Sequence, residues 1–392
     1  MSWSTVRADQ FCTLITDGTH DSPKPQQSGW KLITSKHLKG HYIDFDSANW
    51  ISEADYLKVI SRSAVEQWDI LFSMIGTIGN IYLEKNSHVE YACKNMGIFK
   101  FSGNKENALW MYYYLKSPQA KAYIQTHLRG STQAYVPLGG LREMPVPVPP
   151  QSVRNEIIAV LRPIDEKIEC NNAINDNLYE MVNAYYTSLF KDVECEMTTI
   201  GNYAERIYSG GTPTTSNVAY WDGTFGWLSS GETRNRFVIS TEKSITQTGI
   251  DNSSTKLASK HDIVMASAGQ GFTRGQTSML LIDTYVNQSV IVIHADRNIL
   301  PYLFWNLANR YEELRAISDS SSIRGSLTTK MIAAFEIPLA NNDVIQTFSD
   351  FAWAVIPQIE NNLLENERLA ALRDSLLPKF MSGEIDVSDV QL

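Results

Sequence analysis

Three strings in this 392-residue chain carry residue types that do chemistry elsewhere. Asp165-Glu166-Lys167 has the acid-x-lysine order of many nucleases, but it falls on the outer face of a helical repeat, where alternating charge is expected. Gly269-Gln270-Gly271-Phe272-Thr273-Arg274-Gly275 approaches a dinucleotide-binding loop, yet its glycine spacing is wrong and no clear helix follows, so it reads as a loop between strands. Of the seven histidines, five precede residue 150 and none has metal-ligand spacing. His20 and His37 sit in polar, loop-like strings and read as solvated. The four cysteines, Cys12, Cys93, Cys170 and Cys195, are scattered without a CxxC pair, so neither a zinc site nor a disulfide framework is indicated. Walker A and HExxH strings are absent. The chain is expected to carry no catalytic centre, metal or cofactor of its own.

The elements that hold these strings are ordinary in composition, with 43% hydrophobic and 20% charged residues. The start shows no basic-then-apolar signal pattern, and no apolar run approaches bilayer length, so a cytoplasmic location is expected. Net charge is −9, unevenly spread. Residues 1–150 carry 15 basic and 13 acidic side chains, and residues 198–338 carry 12 of each. Residues 151–197 are at −5 and residues 339–392 at −6. The acid is therefore confined to two segments, and a local basic groove is available only in the other two.

Those segments alternate because the chain is written twice, at an offset of 191–193 residues. Asp69-Ile70-Leu71-Phe72-Ser73 with Gly76 returns as Asp262-Ile263-Val264-Met265-Ala266 with Gly269. Leu109–Leu115 returns as Tyr302–Leu307, Met144-Pro145-Val146-Pro147 as Phe335-Glu336-Ile337-Pro338, and Ile168-Glu169-Cys170-Asn171-Asn172 as Ile359-Glu360-Asn361-Asn362. Each copy has a globular part rich in Gly, Ser, Thr and aromatics, followed by a helical part. Asp69–Ile75 and Val286–Ile293 read as strands, and Asn107–Leu115 and Leu300–Leu314 as short amphipathic helices.

The helical parts share one seam. Ile164, Ile168, Asn171, Asn175, Leu178, Val182, Tyr185 and Leu189 alternate in steps of four and three, and 191 residues later stand Val355, Ile359, Asn362, Asn366, Leu369, Arg373, Leu376 and Phe380. This is a coiled-coil pattern, and its matched asparagines set register at a cost in stability. Pro163 and Pro357 predict a short helix, a break and then the long helix. Pairing requires the second helix to run back antiparallel, with Asn171 facing Asn366 and Asn175 facing Asn362. The fold expected is mixed α/β: two tandem globular domains, each followed by a long helix, the helices forming an antiparallel coiled coil with pseudo-two-fold symmetry. The domains expected are 1–148 and 198–338, the helical spacers 149–197 and 339–384, and the tail 385–392.

The layout resembles the specificity (S) subunit of type I restriction–modification systems over essentially the whole chain. The strings that carry the resemblance are Asp17-Gly18-Thr19-His20 and Thr34-Ser35-Lys36-His37-Leu38 in the first half, and Ser209-Gly210-Gly211-Thr212-Pro213, Tyr220-Trp221 and Trp227–Glu232 in the second. The tails Ile164–Ile168 and Leu376–Glu384 resemble the family's helical regions. The resemblance implies that each globular part is a target-recognition domain reading one half of a split, asymmetric site in double-stranded DNA. It implies that the helices hold the domains apart and dock two methyltransferase subunits, which restriction subunits then join. S-adenosylmethionine, ATP and magnesium chemistry would belong to those partners, and no membrane is involved.

Reading DNA needs side chains at base edges and phosphate contacts for positioning, with Arg and Gln the usual readers of guanine and adenine. In the first domain the candidates are Thr19, His20, Ser35, Lys36, Thr77, Arg129, Ser131 and Gln133. In the second they are Thr212, Ser230, Glu232, Gln270, Arg274, Ser322 and Arg324. From Ile164 to Leu189 a helix spans ~38 Å at ~1.5 Å per residue, a length that matches about 11 base pairs of duplex. Two other classes stay open at this point, a stand-alone DNA-modifying enzyme and a scaffold that binds only protein.

Overall fold

The computed structural model describes residues 3–40, 42–191, 196–269, 273–320, 325–385 and 387. The chain forms two compact units: Met1–Glu169 with Glu367–Leu392, and Cys170–Asn366. Each unit thus combines one globular part with portions of both long helices.

In the first unit a four-stranded antiparallel sheet runs in the order Leu14–Asp17, Met96–Lys100, Ile70–Ser73, Ile81–Leu83. Ile70 and Phe72 enter one core and Leu71 another, so the strand is apolar on both faces and lacks period-two alternation. A second sheet places Trp30–Ile33 between Asn49–Ile51, antiparallel, and Tyr91–Cys93, parallel. Thr5–Arg7 pairs with Pro145–Pro147 and closes the domain.

The second unit repeats the plan. Its five-stranded sheet runs Ala204–Ser209, Val290–Ala295, Ile263–Ala266, Thr277–Leu280, Phe237–Val238. Ile263 and Met265 enter one core and Val264 the other. Lys243–Ile245, Trp221–Leu228, Thr284–Val286 and Lys256–Ala258 form the second sheet, and Glu196–Thr199 pairs with Glu336–Leu339.

The repeated aspartate before the central strand has the same task in each unit. Asp69 Oδ2 accepts from Glu66 N at 2.8 Å and from Lys100 Nζ at 2.6 Å. Asp262 Oδ2 accepts from Ser259 N at 2.9 Å, and Oδ1 lies 2.5 Å from His294 Nδ1. The carboxylate closes the turn and ties it to the neighbouring strand.

Several boundaries differ from the sequence reading. The first short helix covers Lys105–Lys116, and Ala108 through Leu115 are all buried, so it is a core helix without a wet face. Leu300–Leu314 is two helices, Leu300–Asn309 and Tyr311–Ser320. At the break, Arg310 Nη1 donates to the strand carbonyl Glu336 O at 2.6 Å and Nε to the Glu313 carboxylate at 2.7 Å, so the arginine ties the second helix to the strand Glu336–Leu339. Val286–Ile293 is split between the two sheets by a turn in which Asn287 Oδ1 accepts from Ser289 N at 2.9 Å. Asp69–Ile75 contributes only Ile70–Ser73 as strand.

The break expected at each proline is also absent: Gln151–Phe190 is one helix through Pro163, and Asn342–Ser382 is one helix through Pro357. A helix-interior proline costs roughly 3 kcal/mol. Burial on the opposite face offsets it, from Ile157 and Leu161 beside Pro163 and from Val355, Ile356 and Ile359 beside Pro357. Both prolines lie on the exposed side, where the carbonyl left without an N–H partner meets water.

Candidate nucleic-acid interface

In the first unit, short hydrogen bonds gather loops that are far apart in sequence. Thr19 bridges Lys94, with Thr19 N donating to Cys93 O at 2.9 Å. Lys94 N donates to Ile33 O at 2.9 Å, which leads directly to Ser35-Lys36. Thr77 Oγ1 donates to Ser35 O at 3.3 Å. Ile75 bridges Tyr135, and Arg129 and Tyr135 exchange backbone bonds at 2.9 Å. Lys36, Thr77, Arg129, Ser131 and Gln133 all stand exposed on this loop cluster. His20, although exposed, has Nδ1 2.8 Å from Asn95 Oδ1 and Nε2 2.9 Å from Asp17 Oδ2, so its ring is held as a loop staple.

Not every candidate is at the surface. Ser35 is buried, and so is His37, at 2% exposure, against the solvated reading given to it. His37 Nδ1 accepts from Thr34 N at 2.9 Å and closes the turn; burial first, then Lys36, pushes its pKa down.

In the second unit Thr212 is half-buried and bonds to Gln288, and Ser230 is half-buried. Glu232 is 4% exposed. Its Oε2 accepts from Ser229 N at 2.7 Å and Oγ at 3.0 Å, and its Oε1 from Glu242 N at 2.7 Å. Arg274 is buried, paired with Asp319 and donating to Gly325 O at 2.6 Å. The loop reading placed Glu232 and Arg274 toward solvent. The structure turns both inward, because a short loop leaves backbone groups that only a long polar side chain reaches. Gln270, Ser322 and Arg324 lie outside the described residues.

The structure adds groups the sequence reading missed. Exposed Arg206 and Lys256 flank the Tyr208 ring at 5.9 and 5.6 Å, and Lys243 lies 5.6 Å from the Trp221 ring. Cations interleaved with aromatics suit phosphate contact and base-edge packing together. Lys243 comes to Trp221 from a paired strand and Lys256 to Tyr208 from the other sheet, neighbours that have no signature along the sequence.

The seam residues are buried or half-buried throughout. In the second unit Asn171 Nδ2 donates to Asn366 Oδ1 at 2.9 Å, Asn366 Nδ2 to Asn172 Oδ1 at 2.8 Å, and Asn362 Nδ2 to Asn175 Oδ1 at 2.8 Å. The antiparallel register therefore sets polar opposite polar. Leu178, Val182 and Leu189 pack there with Val355 and Ile359. In the first unit Ile164, Ile168 and Leu369 are half-buried seam positions, and Leu376 and Phe380 join the core.

Asp165 is not on an outer face. It is 6% exposed and takes Lys116 Nζ at 2.9 Å and Arg373 Nη1 at 2.7 Å, all three within the first unit. Burial raises its pKa, but Lys116 and then Arg373 outweigh that and hold it below the ordinary carboxylate range. Lys116 is itself lowered, by burial first and with Arg373 opposing its charge. The acid-x-lysine string is thus a structural ion pair, and among the described residues no group of acids, histidines and cysteines is arranged to hold a metal. No described helix is long and apolar enough to cross a membrane.

Two recognition-type globular parts on one helical seam define a class, and comparison with known proteins agrees. The profile of the type I restriction modification DNA specificity domain matches twice, over residues 3–180 and 193–365. The chain belongs to this family, as a DNA sequence-recognition subunit of a type I restriction–modification system and a non-catalytic one. It is similar to the Type I restriction enzyme EcoR124I/EcoR124II specificity subunit of Escherichia coli, 25% identical over 61% of this chain and 60% of that protein, so this alignment spans less than two thirds of the relative. Similarity to the HindI specificity subunit of Haemophilus influenzae is 19%, over 86% of this chain and 90% of the relative. The fold matches the crystal structure of the type I S subunit from M. genitalium with a TM-score of 0.56 at 15% identity, covering 97% of this chain and 96% of that one.

Proposed function

We propose that the loop cluster of each unit reads one half of a bipartite, asymmetric DNA site. In the first unit the readers are Lys36, Thr77, Arg129, Ser131 and Gln133. In the second, Arg206, Tyr208, Lys256 and Lys243 supply the positioning contacts. The observation that carries this reading is the convergence of the loops at 34–37, 75–79 and 129–135 through Thr77 Oγ1 and the Ile75–Tyr135 bridge. Backbone bonds fix the loops, while the side chains of Lys36, Thr77, Arg129, Ser131 and Gln133 stay exposed.

The acidic helices set the spacer between the half-sites and dock two methyltransferase subunits, and restriction subunits join in the cytoplasm. S-adenosylmethionine, ATP and magnesium act on those partners. Methylated-adenine mapping in a host expressing the assembled complex tests the reading. Exchanging residues 198–338 for another recognition domain should change one half-site only. Changes in both half-sites, or in neither, would refute the assignment of one half-site per unit.

A further inference from the structure

A chain written twice faces a partner problem. The first long helix carries the same seam as the second, so it also matches the first long helix of another copy. The asparagines do not prevent this. Under the 191-residue offset Asn171 corresponds to Asn362 and Asn175 to Asn366. A pair of first helices would therefore set Asn171 against Asn175 twice, with the same polar-on-polar match observed between the two different helices.

The ion pair breaks the degeneracy. Asp165 corresponds to Ile356 and Arg373 to Val182, and both of these are buried in the second unit's apolar core at 1% and 0% exposure. At the same offsets Lys116 corresponds to Leu307, Ala308 or Asn309, none of them charged. The same seam layer is ionic in one unit and apolar in the other. In a pair of first helices Asp165 would face valine and keep only Lys116, losing Arg373, twice. In a pair of second helices each Arg373 would face Ile356, with no acid opposite. Losing one partner of a buried ion pair is strongly unfavourable, whereas a layer that is wholly apolar is tolerated. A lone polar group at the seam is a known means of choosing partners by penalising the wrong ones.

We propose that Asp165 and Arg373, backed by Lys116, direct the first long helix to the second long helix and against another copy of itself, while the asparagines set register alone. The test uses the full-length chain carrying either of two affinity tags, unfolded in denaturant, mixed and refolded together at increasing concentration. The parent should show little capture of one tagged form by the other. Asp165→Ile with Arg373→Val and Lys116→Leu copies the second unit's layer, in which Leu307 stands at the position of Lys116, into the first. It should melt at or above the parent's temperature and raise capture at least tenfold. Asp165→Leu with Arg373→Met and Lys116→Met carries the same expectation if the first combination does not fold by circular dichroism. A charge exchange, Asp165→Arg with Arg373→Asp in the Lys116→Leu background, restores complementarity between the two helices and should capture less than the apolar variants. Apolar variants that stay as free of capture as the parent overturn the proposal, as does a charge exchange that captures as strongly as they do.

Discussion

Glu232 separates a base-reading role from a loop-holding one. Its carboxylate closes the Ser229–Glu232 turn and pins Glu242 by accepting two backbone N–H groups at 2.7 Å each, plus the Ser229 hydroxyl at 3.0 Å. Hydrogen bonds to a charged acceptor contribute about 1.5–3 kcal/mol each. Ser229 is half-buried and Glu242 exposed, so water recovers part of the loss. Glu232→Ala should therefore destabilise the second unit by about 2–3 kcal/mol, and Glu232→Gln, which keeps one acceptor, by about half of that. At roughly 2–4 °C per kcal/mol for a unit of this size, the alanine variant should melt about 4–12 °C lower. Calorimetry on the full chain reads the shift, and methylated-adenine mapping at low temperature reads the target. A melting curve that overlays the parent, together with a changed half-site, would sink the reasoning and make Glu232 a reader of cytosine's amino group.

Replacing the exposed Lys36 or Arg129 with Ala should leave thermal stability within ~0.5 kcal/mol. DNA affinity of the assembled complex should fall, and the salt slope of log K should shrink by about one for each phosphate no longer neutralised, measured by titration at several salt concentrations. The chain alone should bind DNA weakly at physiological salt, because its helical segments stand at −5 and −6, and should gain affinity on adding methyltransferase subunits; tight sequence-specific binding by the purified chain refutes this. Asp165 has a folded pKa below its unfolded value, so its stabilisation is complete above the unfolded pKa of about 4 and is lost as pH falls through the folded value. The stability deficit of Asp165→Asn, followed by denaturant titration from pH 7 to pH 3, should accordingly shrink as pH falls, and a deficit that grows refutes the assignment.

The two-fold repeat and the seam were legible in the sequence because they are periodic, and burial enforces period wherever one face must be apolar. Asn171, Asn175, Asn362 and Asn366 could be paired on that basis alone. The ionic layer was not legible. Asp165 stands one residue past the seam position Ile164 and looks solvated on a helical projection, since its partners arrive from Lys116 and from the far end of the chain at Arg373. The unbroken helices escaped the sequence reading for a related reason: local propensity argues for a stop at Pro163 and Pro357, and tertiary burial overrides it. Loop residues were the least legible. Lys36 and Glu232 are both polar residues in Ser-rich strings, yet one is exposed and the other buried, and only the fate of the surrounding backbone N–H groups decides which.

That distinction explains how one scaffold supports two different readers. The exits of the two edge strands are built alike: a Cβ on Gly18 would lie 2.3 Å from Cys93 O, and one on Gly210 would lie 1.9 Å from Val286 O, so neither position admits a side chain. Asp69 and Asp262 hold the central strands by the same turn bond, at 2.8 and 2.9 Å. What differs is what stands around these fixed points. Asp17 and His20 flank Gly18 in one unit, where Ser209 and Thr212 flank Gly210 in the other, and Lys100 answers the first aspartate where His294 answers the second. Backbone contacts that tolerate no change keep the frames equivalent, while the outward side chains are free to diverge. Two diverged surfaces on equivalent frames have no reason to recognise the same bases, and that freedom is the physical ground for the asymmetric site proposed above.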